Sequence, residues 1–396
     1  MSNIQLILEE KAADIGNFMV GRLLPFRQKR AVGPFVFIDH MGPADLKDYQ
    51  NLDVPPHPHI GLSTLTYLFE GAIFHRDSLG TAREIQAGAV NWMTAGKGVV
   101  HSERTPEYLR STDKKLHGLQ IWVALPKHLE QIAPSFHHVE ASAIPTWEED
   151  GLHFKLIAGD AFGFKSSVPV HSPLYFLEIK NSGESKTVSI GEQLFGESAL
   201  YILEGEIKDG EYTYGPKQLL VAKDSKLCSF EMAAHTTVYI FGGEAFPEER
   251  AIYWNFVSSS SKVLETAISN WEKQDLTAFP EVPGDTKEFV PLPEMAYKPS
   301  PVISIYREER KGGGRFVLFR DGIENGEMTY VWAGKDKFII DHTEVQPDQE
   351  NKGLGKRLVL KGVEFARANG LKIMPLCPFA KRVIQGDESL WDVVYR

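Results

Sequence analysis

The sequence predicts a mainly β chain: two small β domains, each a sandwich or barrel, followed by a small α/β domain. Three observations carry this. From Gly33 to about Pro126, short apolar or alternating runs are broken by Gly, Pro and Asp, as in Phe35-Val36-Phe37-Ile38, Thr64-Leu65-Thr66-Tyr67-Leu68-Phe69 and Leu119-Gln120-Ile121-Trp122-Val123. Strands at such regular short spacing build sandwiches and barrels. A second series of the same kind runs from Phe154 to Gly243, and Tyr67-Leu68-Phe69-Glu70-Gly71 recurs as Tyr201-Ile202-Leu203-Glu204-Gly205. The second β domain therefore repeats the architecture of the first. After a proline-rich passage the pattern changes to strands followed by loop, helix and strand.

The remaining elements follow in order. Val263, Leu264, Ala267, Ile268 and Trp271 fall on one face of a helix near Ser258 to Asp275. Closely spaced prolines from Phe279 to Pro301 read as an extended linker. In the last hundred residues, Gly312-Gly313-Gly314 reads as a tight turn before a strand, and Gly326 to Trp332 and Lys337 to Val345 read as strands. A glycine-rich turn at Gln349 to Arg357 opens a helix that runs to about Asn369-Gly370. Leu354, Leu358, Val359, Val363, Phe365 and Ala366 lie on its apolar half, opposite Lys356, Arg357, Lys361, Glu364 and Arg367. The expected division is 1–130 and 131–293 for the β domains, 294–301 for the linker and 302–396 for the third domain; 396 residues exceed one ordinary core.

Composition excludes several classes. A net charge of −10 argues against a nucleic-acid surface, which needs clustered Lys and Arg. Two cysteines far apart, Cys228 and Cys377, make no disulfide framework and fit a reducing cytoplasm. Cys377 reads as a small buried hydrophobe in a strand. The acidic start, with Glu9, Glu10 and Asp14, is not a secretory signal, and no apolar run reaches the roughly 18 residues of a membrane span.

The chemistry concentrates in Pro55-Pro56-His57-Pro58-His59-Ile60-Gly61 and His101-Ser102-Glu103. Strand residues two apart share a face, so two such strands facing across a barrel bring three imidazoles and one carboxylate to one point. His-Pro-His alone reads equally well as a solvated loop. The second pair changes that, because Glu103 in an apolar, glycine-rich setting is costly to bury without a neutralising cation. His57, His59, His101 and Glu103 are the candidate ligands of a mononuclear metal. Upstream of Tyr201 there is no His-x-His, so no equivalent metal is expected in the second β domain.

These residues resemble the pirin family, a two-domain branch of the cupins, over about residues 1–293. The resemblance rests on Gly33-Pro34-Phe35 through Asp39-His40-Met41-Gly42-Pro43, on the two His motifs, on Asn91-Trp92-Met93-Thr94-Ala95-Gly96 and on Trp254-Asn255-Phe256-Val257-Ser258. It extends to Val282-Pro283-Gly284-Asp285 and Phe289-Val290-Pro291-Leu292-Pro293. It implies two double-stranded β-helix (jelly-roll) barrels and metal ligands at His57, His59, His101 and Glu103. Most cupins keep the carboxylate a few residues after His-x-His, where Ser63 and Thr64 stand; as in pirins, Glu103 supplies it from the second motif. The resemblance also tips the metal toward Fe(2+), although another divalent ion suits the ligands. Some pirins open flavonols such as quercetin with O2, which implies a small planar aromatic substrate and Glu103 as the catalytic base. Phe37, Tyr67, Trp92 and Met93 are candidates for the pocket wall, each also readable as core, and Lys97 reads as solvated surface.

Two other functions stay open. Pirins of nucleated cells imply a non-enzymatic, redox-sensitive iron protein that regulates a protein partner, which the negative charge suits better than DNA. The last hundred residues resemble a short Gcn5-related N-acetyltransferase, through Glu350-x-x-Gly353-x-Gly355 and Leu371-Lys372-Ile373-Met374-Pro375-Leu376-Cys377-Pro378-Phe379-Ala380. That implies acetyl-CoA held at the helix start by Gly353, Gly355 and Lys356. The family usually has Arg or Gln where Glu350 stands, with Gln349 and Lys352 close by.

Overall fold

The computed structural model describes residues 4–15, 18–191, 193–222, 229–294 and 301–395. The chain divides into two compact units. The first comprises Met1–Phe246, Ile252–Ser258 and Leu264–Ala296; the second comprises Pro247–Ala251, Ser259–Val263 and Tyr297–Arg396. Most of the expected linker, and Cys228, lie outside the described residues.

The first unit is two cupin barrels, each a large sheet facing a four-stranded one. The first large sheet runs Ser135–Val139, Val90–Thr94, Leu62–Glu70, Lys114–Ala124, Phe35–Leu46, Met19–Leu24, Lys11–Asp14. The second runs Ile4–Glu9, Gln218–Ala222, Glu197–Glu204, Thr236–Gly243, Leu174–Asn181, Leu152–Ala161, Thr146–Glu149. Position by position these are the same order. The repeated phrase occupies the same strand in both, and each copy ends on a glycine at positive φ, +90° at Gly71 and +79° at Gly205. A Cβ at Gly71 would meet the Lys115 carbonyl at 2.3 Å, so only glycine fits that close approach.

Strands do not follow the 130/131 division residue by residue. Ile4–Glu9 pairs antiparallel with Gln218–Ala222 in the second barrel, and Ser135–Val139 pairs with Val90–Thr94 in the first. Each completes the same edge position of its sheet, so the barrels exchange strands at their ends. They also share one core. Phe35, Tyr67 and Trp92 from the first barrel pack with Phe176, Tyr201, Tyr239 and Phe241 from the second. Burying such rings contributes roughly 1.5–3 kcal/mol apiece, and their hydroxyls need partners. Tyr239 donates to Glu178 Oε2 at 2.5 Å and Tyr201 donates to Glu10. Glu10 is also 2.6 Å from His40 Nδ1, and His40 Nε2 lies 2.8 Å from His117 Nε2. This polar cluster ties His40 and His117 of the first barrel to Tyr201 of the second.

The four-stranded sheet of the first barrel runs Asp53–His59, Val99–Arg104, Ala72–Asp77, Ala82–Gln86. Its counterpart runs Lys186–Ser189, Ser229–Met232, Ile207–Asp209, Tyr212–Tyr214. Where the first barrel carries its histidines, the second turns Val188, Phe230 and Met232 into an apolar core. Helix Ser261–Glu272 buries Leu264, Ala267 and Trp271. Trp271 packs on Trp254, Phe279 and Phe289 and donates its ring N–H to the Val290 carbonyl at 3.1 Å.

The second unit is a five-stranded sheet, Ile303–Arg310, Gly313–Arg320, Ile323–Trp332, Lys337–Val345, Lys372–Pro375. The first four are antiparallel and the last is parallel to its neighbour. Helix Leu354–Ala368 buries Leu354, Leu358, Val359, Val363 and Ala366. The turn expected at 312–314 is tighter than that: Arg310 pairs with Gly313, leaving Lys311-Gly312 as the loop. Gly313 and Gly314 are strand residues, where a Cβ would strike Tyr330 at 2.1 and 2.6 Å. No helix among the described residues is long and apolar enough to cross a membrane.

Candidate metal centre

Three neighbouring strands build the site. Asp53–His59 pairs antiparallel with Val99–Arg104, setting His101 opposite His57, while the other edge of Val99–Arg104 sets His101 opposite Asp77 and Glu103 opposite His75. Opposite residues share a face, as do residues two apart. His57, His59, His101 and Glu103 therefore point the same way, together with His75 and Asp77. Pro55 and Pro56 lie where the register slips: His101 faces His57 but Glu103 faces Val54. Two residues on one strand thus span three on the other, a bulge that suits residues lacking a ladder N–H.

His57, His59 and His101 converge, with one ligand nitrogen from each within 4.8 Å of the others. Their ring centroids are 4.3 to 5.1 Å apart, and all three are buried. Glu103 stands outside this set. Its Oε1 accepts a hydrogen bond from Thr66 Oγ1 at 3.4 Å, and the residue is half-buried.

The imidazoles are arranged for a cation. His57 Nδ1 donates to the Pro55 carbonyl at 2.8 Å and His59 Nδ1 to the Asn255 carbonyl at 3.2 Å, which leaves the Nε2 lone pairs as ligands. His101 Nε2 is buried with no hydrogen-bond partner among the described residues. Such an orphan is rare in a folded protein and calls for an explanation. Burial pushes His57 down to about 4, and burial with the neighbouring imidazoles holds His59 and His101 well below the usual histidine range. All three are thus neutral near pH 7, the form that binds metal. Burial raises the Glu103 carboxyl, against the opposing effect of the Thr66 hydrogen bond. Three convergent neutral imidazoles beside a carboxyl whose charge is unfavourable without a cation fit a divalent metal, and an imidazole-rich set suits iron, zinc, nickel or copper.

The pirin family model matches residues 17–123 and the pirin C-terminal cupin model matches residues 182–277. A pirin-like protein of Caulobacter vibrioides is 46% identical over 294 residues, 74% of this chain and 100% of that protein. The chain belongs to the pirin family. Two solved structures from Acinetobacter baumannii, both described as quercetin 2,3-dioxygenase, are similar to this pirin. One is 32% identical with a TM-score of 0.67, covering 73% of this chain and 95% of that one. The other is 25% identical with a TM-score of 0.62, covering 69% and 97%. A GCN5-related N-acetyl-transferase model matches residues 315–393, so this pirin carries a fused domain of that kind.

Of the expected wall residues, Phe37 and Met93 join Trp122, Leu62 and Val99 in one cluster, with Phe37 stacked on Trp122 at 3.9 Å. Trp122 in turn meets His59 edge-on at 5.1 Å. Tyr67 and Trp92 belong instead to the core shared by the barrels. Lys97 is exposed. Sequence reasoning missed Trp122, His75 and Asp77. His75-x-Asp77 has the same two-residue spacing as the ligand pairs and lies between them, a signal that was present.

In the acetyltransferase-like domain, Gly353 takes φ +76° and directly precedes helix Leu354–Ala368, with Lys356 exposed in the first turn. Gly355 has a packing reason, since a Cβ there would sit 3.0 Å from the Phe379 ring. Lys352 Nζ is drawn back onto the Asp348 carbonyl at 2.7 Å and Gln349 Oε1 at 3.2 Å. Cys377 is buried, not within a strand but immediately before helix Pro378–Gln385.

Proposed function

We propose that this pirin is an iron-dependent dioxygenase of flavonol-like substrates, with His57, His59, His101 and Glu103 as ligands. The observation that carries the reading is the convergence of three buried imidazoles, two with Nδ1 committed to carbonyls and the third with an orphaned Nε2. Iron held there supplies Lewis acidity and the redox chemistry that ring cleavage by O2 requires. The protein residues have separate tasks. Glu103, on the same face two residues beyond His101, takes the proton of the substrate's enolic hydroxyl. Phe37, Trp122 and Met93 supply a flat apolar wall against His59, suited to a planar ring and to excluding water.

The test is metal analysis of the purified protein, then anaerobic mixing with quercetin and admission of oxygen. One equivalent of iron, flavonol loss with O2 uptake, and neither in His101→Ala are the expected results. Iron without turnover would replace this reading with that of a redox-sensitive binding protein.

A second reading concerns the fused domain, for which we propose acetyl-CoA binding at Gly353, Gly355 and Lys356. The family match over residues 315–393 and the left-handed Gly353 before an uncapped helix N-terminus support it. Saturating acetyl-CoA should raise the melting temperature.

A further inference from the structure

Asp77 and His75 form a side-chain relay that ends on the third histidine of the metal centre. Asp77 is fully buried, and its Oδ1 accepts the backbone N–H groups of Leu79 at 2.9 Å and Thr81 at 3.0 Å. Its Oδ2 lies 3.1 Å from His75 Nε2. The other nitrogen of that ring, His75 Nδ1, lies 3.4 Å from His101 Nδ1. The His75 ring is held by stacking on Phe136, with centroids 4.6 Å apart and planes 24° apart.

With each ring neutral, donor and acceptor rules fix every proton in the chain. A carboxylate only accepts, so His75 carries its proton on Nε2 and presents a bare Nδ1. Two bare nitrogens, or two N–H groups, cannot face each other favourably, so His101 carries its proton on Nδ1. His101 Nε2 is left as a lone pair, the buried atom without a partner. His57 and His59 are set by carbonyl oxygens, which also only accept. His101 is set by a ring that could take either tautomer, and the carboxylate behind it makes the choice.

We propose that Asp77 and His75 are positioning residues: they hold His101 in the Nδ1–H tautomer before metal arrives, so that Nε2 is a preformed ligand. This rests on the metal reading above, but the tautomer is read without metal. In Asp77→Asn the amide oxygen can keep the contacts to Leu79 and Thr81 while the amide nitrogen donates to His75 Nε2. His75 must then carry its proton on Nδ1, and His101 must move its own to Nε2, covering the metal lone pair.

The experiment is long-range 1H–15N correlation on histidine-labelled, metal-free protein at neutral pH, with metal affinity measured by chelator competition. Wild type should show His101 protonated on Nδ1. Asp77→Asn should show it protonated on Nε2, with metal bound about 10–100-fold more weakly. A wild-type spectrum with the proton on Nε2 overturns the proposal, and needs no variant to fold. Weaker binding in Asp77→Asn with an unchanged His101 tautomer also overturns it, because Asp77 would then act only through the turn it caps. If wild type shows the Nδ1–H tautomer but binds no metal, the relay stands and the metal reading fails.

Discussion

The Nδ1 atom of His59 lies 3.2 Å from the main-chain carbonyl of Asn255, 196 residues further along the chain. The metal centre of the first barrel is thus completed by the segment that follows the second. Ile60 bridges Phe256 in parallel, Val257 donates its N–H to the Ile60 carbonyl at 3.2 Å, and Val290 donates to the Pro56 carbonyl at 2.8 Å. Arg104, next to Glu103, is bound by both oxygens of Asp285 at 2.9 and 3.0 Å and by Glu288 at 2.8 Å. This returning strap fixes an imidazole tautomer and braces the strand that carries His101. It gives a physical reason for the second barrel to travel with a metal site that is not its own.

Gly61 is where the strap passes closest. It has φ +69°, and a Cβ there would lie 1.9 Å from the Val257 carbonyl oxygen. Gly61→Ala should destabilise the unit by about 1–3 kcal/mol from backbone strain, and should weaken metal binding by loosening the Asn255 contact. Urea midpoint and metal affinity should fall together; if both match wild type, the strap does not hold the site.

Metal removal should be visible in stability. Ligand at about 100 times its dissociation constant adds about 2.7 kcal/mol to the native state, so stripping it with a chelator should lower the melting temperature by on the order of 5–10 °C. His101→Ala should melt at one temperature with or without chelator. A chelator response surviving in that variant would put the metal elsewhere.

Acid should loosen the barrel junction. Burial, with His40 beside it, holds His117 down at about 4, whereas the unfolded imidazole titrates near its ordinary value of about 6.5. The unfolded chain therefore takes up the proton first, and stability falls as pH drops from about 6.5 toward 4. Glu10 adds a second loss at lower pH. Burial raises its carboxyl, but hydrogen bonds from His40 and Tyr201 outweigh that and lower it, so its contribution disappears as pH falls below the ordinary glutamate range. Melting temperature against pH should decline through this window, to which the buried His57, His59 and His101 also contribute, and His117→Gln should make the upper part of the decline shallower. A profile unchanged by that substitution would assign the acid sensitivity to other groups.

Much of this was legible in the sequence because period and spacing are local properties. The Tyr67 to Gly71 repeat announces two matching barrels, and two-residue spacing puts His57 with His59 and His101 with Glu103; the two strands come together as paired neighbours in one sheet, not facing across the barrel as expected. What escaped depends on pairings distant in sequence. No local pattern announces that Ile4–Glu9 closes the second barrel, or that Asn255 caps His59. The bulge at Pro55-Pro56 moved Glu103 relative to His57, so equal spacing within each pair did not give equal distance to a common centre. Trp122 reads in the sequence only as a strand residue, because its contact with His59 depends on how two sheets face each other.

The proposed dioxygenase chemistry makes Glu103 its base. Its carboxyl is raised by burial, and Thr66 Oγ1, itself 2.9 Å from Gln120 Oε1, steadies it at 3.4 Å. A base acts only when deprotonated, so flavonol turnover should fall on the acid side as Glu103 takes up a proton. Glu103→Gln keeps the size and the acceptor for Thr66 but cannot take a proton. At matched metal loading its kcat should fall by about 10²–10⁴, and the acid limb of the pH profile should vanish. Glu103→Ala should in addition lower metal affinity, because it removes a ligand as well as a base. Turnover by Glu103→Gln within tenfold of wild type, with the acid limb intact, would remove Glu103 from the proton transfer and leave it a ligand alone.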